Sequence, residues 1–260
     1  MSDPKPSMRP GGEAVPLRKP SDSHGTLELR SVRKSFGGIL AIDGVDLSVR
    51  AGELRCLIGP NGAGKSTLFR LISGQHRADS GAITLNGHDV TRLQPFQRTR
   101  LGLAVKWQNQ GTFSDLTVDQ NFSIAAHLRK RRPEVEERIA AVAERLGLED
   151  AMHRTAGDLS HGEQQLLETA MTLAADPSIL LLDEPAAGLS REETSRTAAI
   201  VRDIAQQGVT VVVTEHDMAF VRELDSPVTV LHQGRVFAAG SLSEIENHAE
   251  VRKIYLGAVA

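Results

Sequence analysis

The chain has 260 residues, 40% of them hydrophobic and 24% charged, with a formal net charge of −3. That composition is a folding one, far from the signature of disorder, and its length allows one large domain or two small ones. One cysteine excludes an internal disulfide framework and suits a reducing compartment. No apolar run approaches the ~18 residues of a membrane span, and the first residues have no apolar secretion-signal core. Balanced charge and only 3% aromatics weigh against a nucleic-acid partner.

Residues 1–25 carry Pro4, Pro6, Pro10, Pro16 and Pro20 among Gly, Ser and scattered charge, and read as a disordered tail. Leu27, Leu29 and Val32 point to a first strand. Val45, Leu47 and Val49 alternate with polar residues, as in a half-buried strand. Leu54–Ile58 is a short apolar run stopped by Gly59-Pro60, and Ala82–Leu85 is a strand closed by the turn Asn86-Gly87. Helical spacing then takes over in Thr117–Leu128 and Glu134–Leu146, the second opened by Pro133 and ended by Gly147. Beyond Ser160, helices at Glu163–Ala175 and Arg191–Gln207 alternate with strands at Ile179–Asp183 and Val209–Thr214. Such alternation implies an α/β fold with a parallel sheet and right-handed crossovers. Val228–Leu231 and Arg235–Ala239 flank Gln233-Gly234 as a hairpin. Cys56, in the strand before Gly59, reads as a small buried hydrophobe.

Gly59-Pro60-Asn61-Gly62-Ala63-Gly64-Lys65-Ser66-Thr67 fits G-x-x-x-x-G-K-[ST], placed after a strand and opening a helix. Glycines let the backbone wrap so that successive N–H groups face phosphate oxygens, and the helix adds its positive N-terminus. Lys65 can reach the β- and γ-phosphates, and the Ser66 hydroxyl can serve Mg²⁺. The pattern indicates a nucleoside triphosphate. The guanine-specific N-K-x-D pattern is missing from the chain, which favours ATP.

Ile179–Leu182 delivers Asp183 and Glu184 to the carboxyl edge of the sheet, where open α/β folds bind ligands. Asp183 can hold Mg²⁺ through water, and Glu184 can act on an attacking water as general base. Ser160-x-x-Glu163 is a capping box, and the same pattern recurs at Thr117, Ser190 and Ser241.

With Leu159-Ser160-His161-Gly162-Glu163 between these two motifs, residues 26–257 resemble the nucleotide-binding subunit of an ABC transporter. The resemblance implies a P-loop ATPase domain with a mostly parallel core sheet, an antiparallel β subdomain and a helical signature subdomain at about 113–175. It implies that Ser160, Gly162 and Glu163 face the γ-phosphate held by a partner subunit. The family's commonest signature, Leu-Ser-Gly-Gly-Gln, differs at His161 and Glu163, and a carboxylate near triphosphate is repulsive unless paired or turned away. By the same resemblance Phe36 stacks on adenine, Gln108 touches Mg²⁺ and the attacking water, with Gln110 as the other candidate, and His216 contacts the γ-phosphate. Ser190 replaces the aspartate that usually couples the two sites, and either hydrogen-bonds or caps the next helix. The basic run Leu128–Arg132 reads as a solvated helix end or, failing that, as a contact with lipid headgroups at a transporter's cytoplasmic face.

One phosphate loop and one signature per chain then imply a homodimer, or a heterodimer with a paralogous ATPase. Separate integral-membrane permease subunits follow too, with a periplasmic solute-binding protein indirectly and a peripheral place at the cytoplasmic face of the inner membrane. The C-terminal stretches Val228–Gly234 and Tyr255-Leu256-Gly257 resemble the importer branch for branched-chain amino acids. Its urea and short-amide relatives and lipopolysaccharide-export ATPases stay open as alternatives. A DNA-repair ABC ATPase is disfavoured, because the roughly 95 residues from Lys65 to Ser160 leave no room for a long coiled coil. Translation members usually carry two cassettes on one chain.

Overall fold

The computed structural model describes residues 25–108, 111–126 and 132–256. The chain opens with a long antiparallel hairpin, β1 (Leu27–Phe36) and β2 (Ile39–Val49). It continues through β3 (Leu54–Ile58), α1 (Lys65–Ser73), β4 (Ser80–Leu85), β5 (His88–Asp89), α2 (Pro95–Arg100) and β6 (Leu103–Lys106). Three helices follow: α3 (Val118–Ala126), α4 (Arg132–Leu146) and α5 (His161–Ala174). Then come β7 (Ile179–Asp183), α6 (Arg191–Gln206), β8 (Thr210–Glu215), α7 (Met218–Leu224), β9 (Val228–His232), β10 (Arg235–Gly240), α8 (Leu242–Asn247) and α9 (Ala249–Leu256).

Among the described residues the strands form two sheets. The antiparallel one has the order β2-β1-β4-β5, and the core sheet has the order β10-β9-β3-β8-β7-β6. In the core sheet every pairing is parallel except β9 with β10. Period 2 along its strands explains the layering. Cys56, Ile58, Leu180, Leu182, Val211 and Val213 face one core, shared with Phe122, Val142 and Leu167 of the helices. Leu57, Ile179, Leu181 and Val212 face the other, shared with α1 and the antiparallel sheet through Leu68, Phe69, Leu29 and Ile83. Covered on both faces, these strands carry no polar alternation.

The sequence expectations meet this structure closely, with corrections at the edges. Gly25, assigned by composition to the tail, is buried, and its N–H donates to the Asn86 side-chain carbonyl. The helix expected at Glu163–Ala175 starts two residues earlier, at His161. The expected hairpin at Gln233-Gly234 is present. The S/T-x-x-E/Q patterns noted at Thr117, Ser160, Ser190 and Ser241 each cap a helix. Ser190 thus spends its hydroxyl on the start of α6. Gln110 and residues 1–24 lie outside the described residues, as does the basic run up to Arg131. No described helix is long and apolar enough to cross a membrane.

Candidate functional site

The sheet sends β3, β7 and β8 to one edge in parallel, so the residues that follow them meet there. After β3 the loop Gly59–Gly64 turns into α1. Gly64 is the N-cap residue with φ +106°, and a Cβ there would sit 2.8 Å from the Ala41 carbonyl oxygen. At Gly59 an added Cβ would fall 2.2 Å from the Leu231 carbonyl oxygen. Both positions therefore exclude any side chain. Lys65, the first residue of α1, is 7% exposed, and its Nζ donates to the Gly59 carbonyl at 2.6 Å. Burial holds its ammonium below the ordinary lysine value, opposed by Glu184 and Asp183. These three groups thus share one field, in which the carboxylates favour the charged ammonium that burial disfavours.

Asp183 closes β7, 6% exposed, and its Oδ1 accepts the Thr214 hydroxyl at 2.5 Å. Burial pushes its carboxyl above the usual range. Glu184 follows in the left-handed region at φ +47°, which costs a non-glycine residue about 1–3 kcal/mol. Its N–H is held by the Thr214 carbonyl at 3.1 Å. Thr214 on β8 therefore fixes both acids, one by side chain and one by backbone. Gln108, just beyond β6, donates from Nε2 to Glu184 Oε2 at 3.0 Å. His216, just beyond β8, places Nδ1 3.5 Å from Glu184 Oε1. Two residues 76 and 32 positions away thus converge on the carboxylate that the sequence marks as a base.

The turn carrying His216 is braced by a residue that sequence reasoning missed. Glu215 is 1% exposed and ends β8. Its Oε2 accepts the N–H groups of His216 at 3.0 Å and Asp217 at 3.3 Å, and its Oε1 accepts the Ala186 N–H at 3.1 Å. Burial raises its carboxyl, and the backbone donors oppose that. One carboxylate so ties the His216 turn to the loop after Glu184. An acid ending a run of Val and Thr was the available signal.

The donor set that the sequence offers for a metal is Ser66, Gln108 and Asp183, all oxygens. Among the described residues there is no cluster of three His, Cys, Asp or Glu side chains that could cage an ion. Magnesium fits such a set, since it prefers hard oxygens and is usually completed by substrate phosphates and water.

Phe36 is not a core residue: at the end of β1 it is 42% exposed. His76 meets its ring edge-on at 5.1 Å and Lys34 Nζ lies 5.2 Å from its centroid. Lys34 is anchored in turn by Asp79 at 2.7 Å. An exposed ring on an anchored strand end can receive a base.

The N-terminus of α5 is built differently. Ser160 Oγ accepts the Glu163 N–H, and Glu163 Oε2 accepts the Ser160 N–H at 2.7 Å. Arg154 donates to Glu163 Oε1 at 2.7 Å and holds its carboxyl below the usual range. The repulsion expected of an extra carboxylate is therefore offset within the chain. A Cβ at Gly162 would lie 2.1 Å from Glu193 Oε1, so the Glu193 side chain at the start of α6 lies against this turn. His161 Nε2 lies 3.4 Å from the Ala187 carbonyl oxygen, on the loop that Glu215 also holds.

Residues 42–187 match the family model described as ABC transporter. The chain is 34% identical to the high-affinity branched-chain amino acid transport ATP-binding protein BraF of Pseudomonas aeruginosa, across 89% of this chain and 97% of that one. It has the same identity and coverage with LivG of Salmonella typhimurium, which bears the same description. The chain belongs to the ABC transporter family. Its architecture agrees: an ATP-binding cassette of an ABC transporter, MJ1267 in its ADP conformation, superimposes with a TM-score of 0.81 at 29% identity, covering 89% of this chain and 98% of that one. The structure of cbiO1 from Clostridium perfringens, part of an ABC transporter complex, gives 0.78 at 28% identity. This cassette is therefore a nucleotide-binding, ATP-hydrolysing transport subunit, and it works with membrane permease subunits.

Proposed function

We propose that this ABC cassette powers import of branched-chain or similar hydrophobic amino acids, working as a peripheral subunit at the cytoplasmic face of the inner membrane. The observation that carries this reading is the 34% identity with BraF and LivG over 97% of their length. We assign the cassette to residues 26–257, with about 113–175 as its helical subdomain.

In this reading Gly59, Pro60, Asn61, Gly62, Ala63, Gly64, Lys65, Ser66 and Thr67 cradle the phosphates of ATP, and Phe36 stacks on its base. Glu184 takes the proton of the attacking water. Gln108 and His216, both beside its carboxylate, orient that water and the γ-phosphate. Magnesium, held by Ser66, Asp183 and Gln108, supplies charge neutralisation on the phosphates. Phosphoryl transfer of this kind needs positioning and charge more than covalent chemistry. Ser160, Gly162 and Glu163 complete the site of a second cassette, a copy of this chain or a paralogue. ATP binding closes the pair and hydrolysis reopens it, so the permease subunits alternate their access to solute delivered by a periplasmic binding protein.

The test is uptake of labelled leucine, isoleucine, valine and urea by cells that depend on this chain. Leucine, isoleucine and valine uptake is expected to fall to background with Glu184→Gln. Loss of urea uptake alone would overturn the solute assignment and leave the ATPase standing.

A further inference from the structure

The loop that carries Gln108 has its two ends gripped by one buried carboxylate. Lys106, at the end of β6, is 3% exposed, and its Nζ pairs with Glu168 Oε2 at 3.2 Å. The same ammonium donates to the Gln165 side-chain carbonyl. At the far end of the loop, the Gly111 N–H donates to Glu168 Oε1 at 2.7 Å. Glu168 is 5% exposed and sits two turns into α5, the helix whose first turn is the signature Ser160–Glu163. Between the gripped ends, Gln108 reaches Glu184.

We propose that Glu168 is a positioning residue for ATP hydrolysis: it fastens the loop of Gln108 to the signature helix, so that movement of that helix is transmitted to the group beside Glu184. This goes beyond the solute assignment, and it rests on the roles given to Gln108 and Glu184. The physical case has three parts. A charged pair this deeply buried is a costly element compared with an apolar pair of the same volume. Its bonds run to both ends of one loop, which a merely space-filling pair would not do. The signature turn acts on a partner's nucleotide while Gln108 acts on its own, so a rigid link between them joins the two sites of a dimer. Burial lowers the Lys106 ammonium and the Glu168 carboxylate opposes that.

The chain carries its own reporter. Trp107 is its single tryptophan, adjoins Lys106, and lines with Lys106, Gly111 and Glu168 a cleft of about 300 Å³. The experiment compares the full chain with Glu168→Gln, with the double variant Lys106→Met/Glu168→Leu, and with Gln108→Ala. ATPase rates, melting temperature and Trp107 emission with and without Mg-ATP are read for each. Glu168→Gln is expected to lose about 10- to 100-fold in kcat with KM for ATP little changed, and to lose the ATP-dependent change in Trp107 emission. The double variant replaces the pair with apolar side chains, so it is expected to melt near wild type while staying slow and silent. Wild-type kcat in the double variant would reduce the pair to a structural role and overturn the proposal. So would wild-type rate and emission in Glu168→Gln beside a slowed Gln108→Ala, or a wild-type Trp107 blind to ATP. Full activity in Gln108→Ala would instead overturn the site assignment beneath it.

Discussion

The sheet edge and the signature turn both read as anion sites, yet the chain treats their charges in opposite ways. At the sheet edge the charges are held by partners from across the fold. Asp183 has the Thr214 hydroxyl, Glu184 has Gln108 and His216, and Lys65 leans on backbone carbonyls of its own loop. At the signature turn everything is closed locally, with Glu163 bound by Arg154 and by its own cap. The sheet-edge groups take their partners from separate strands and loops. Groups that must present a fixed backbone are tied down. In the proposed function the first region holds the chemistry and the second holds a shape.

The sharpest way to break that contrast is Glu184→Gln. If Glu184 takes the proton, the amide removes the base and keeps the hydrogen bond from Gln108. Phosphate release should fall by about 10²–10⁴-fold, while nucleotide binding measured by calorimetry persists. An equal fall for Glu163→Gln would erase the distinction, because that side chain is assigned no proton. Its expected change in kcat is small.

Next in size is the support behind the phosphate loop. Arg98 is 1% exposed, with Nη1 donating to the carbonyls of Leu71 at 2.7 Å and Ile72 at 2.8 Å, and further bonds to Leu93 and Thr91. Burial lowers its guanidinium to about 10. It closes the C-terminal end of α1, leaving the N-terminal end for phosphate, where the helix dipole favours each charge. Arg98→Met strands these carbonyls, and a loss of roughly 3 kcal/mol is expected. Urea unfolding would show it as a lower midpoint at unchanged slope.

What could be read from the sequence divides along the same line. The phosphate loop, Asp183-Glu184 and the four capping boxes are local patterns, and local patterns survive in one dimension. Gln108 and His216 came only through resemblance, since nothing beside them signals a carboxylate 76 or 32 residues away. Glu168, Glu215, Thr214 and Arg98 went unread because their partners are set by topology. The gap of 62 positions between Lys106 and Glu168 closes only when β6 and α5 pack. Helix α2 was missed for a related reason. It is six residues long, and its buried member is an arginine, which inverts the apolar pattern. Strand β6 is four residues ending in a lysine, too short for alternation to show.

The smallest effect tests the closed side of the comparison. Arg154 and Glu163 are 44% and 33% exposed at their side chains, so solvent screens the pair and it contributes a few tenths of a kcal/mol at most. Arg154 holds the Glu163 carboxyl below its ordinary value of 4.5. A depressed carboxyl stabilises the fold above its unfolded value, and that contribution is lost as pH falls through the folded value. The melting temperature of Arg154→Met should therefore sit slightly below wild type at pH 7, and the difference should close on acidification below about pH 4.5. Its larger consequence is electrostatic. If Glu163 completes a partner's site as proposed, loss of Arg154 leaves its carboxylate uncompensated there, so ATP-dependent pairing of cassettes should weaken while ATP binding to the single chain stays the same. Light scattering with Glu184→Gln in the background reads the first, and calorimetry on the same protein reads the second. If pairing is untouched, Arg154 does no more than trim the cap, and the signature turn's tolerance of Glu163 must come from where its carboxylate points rather than from its neutralisation.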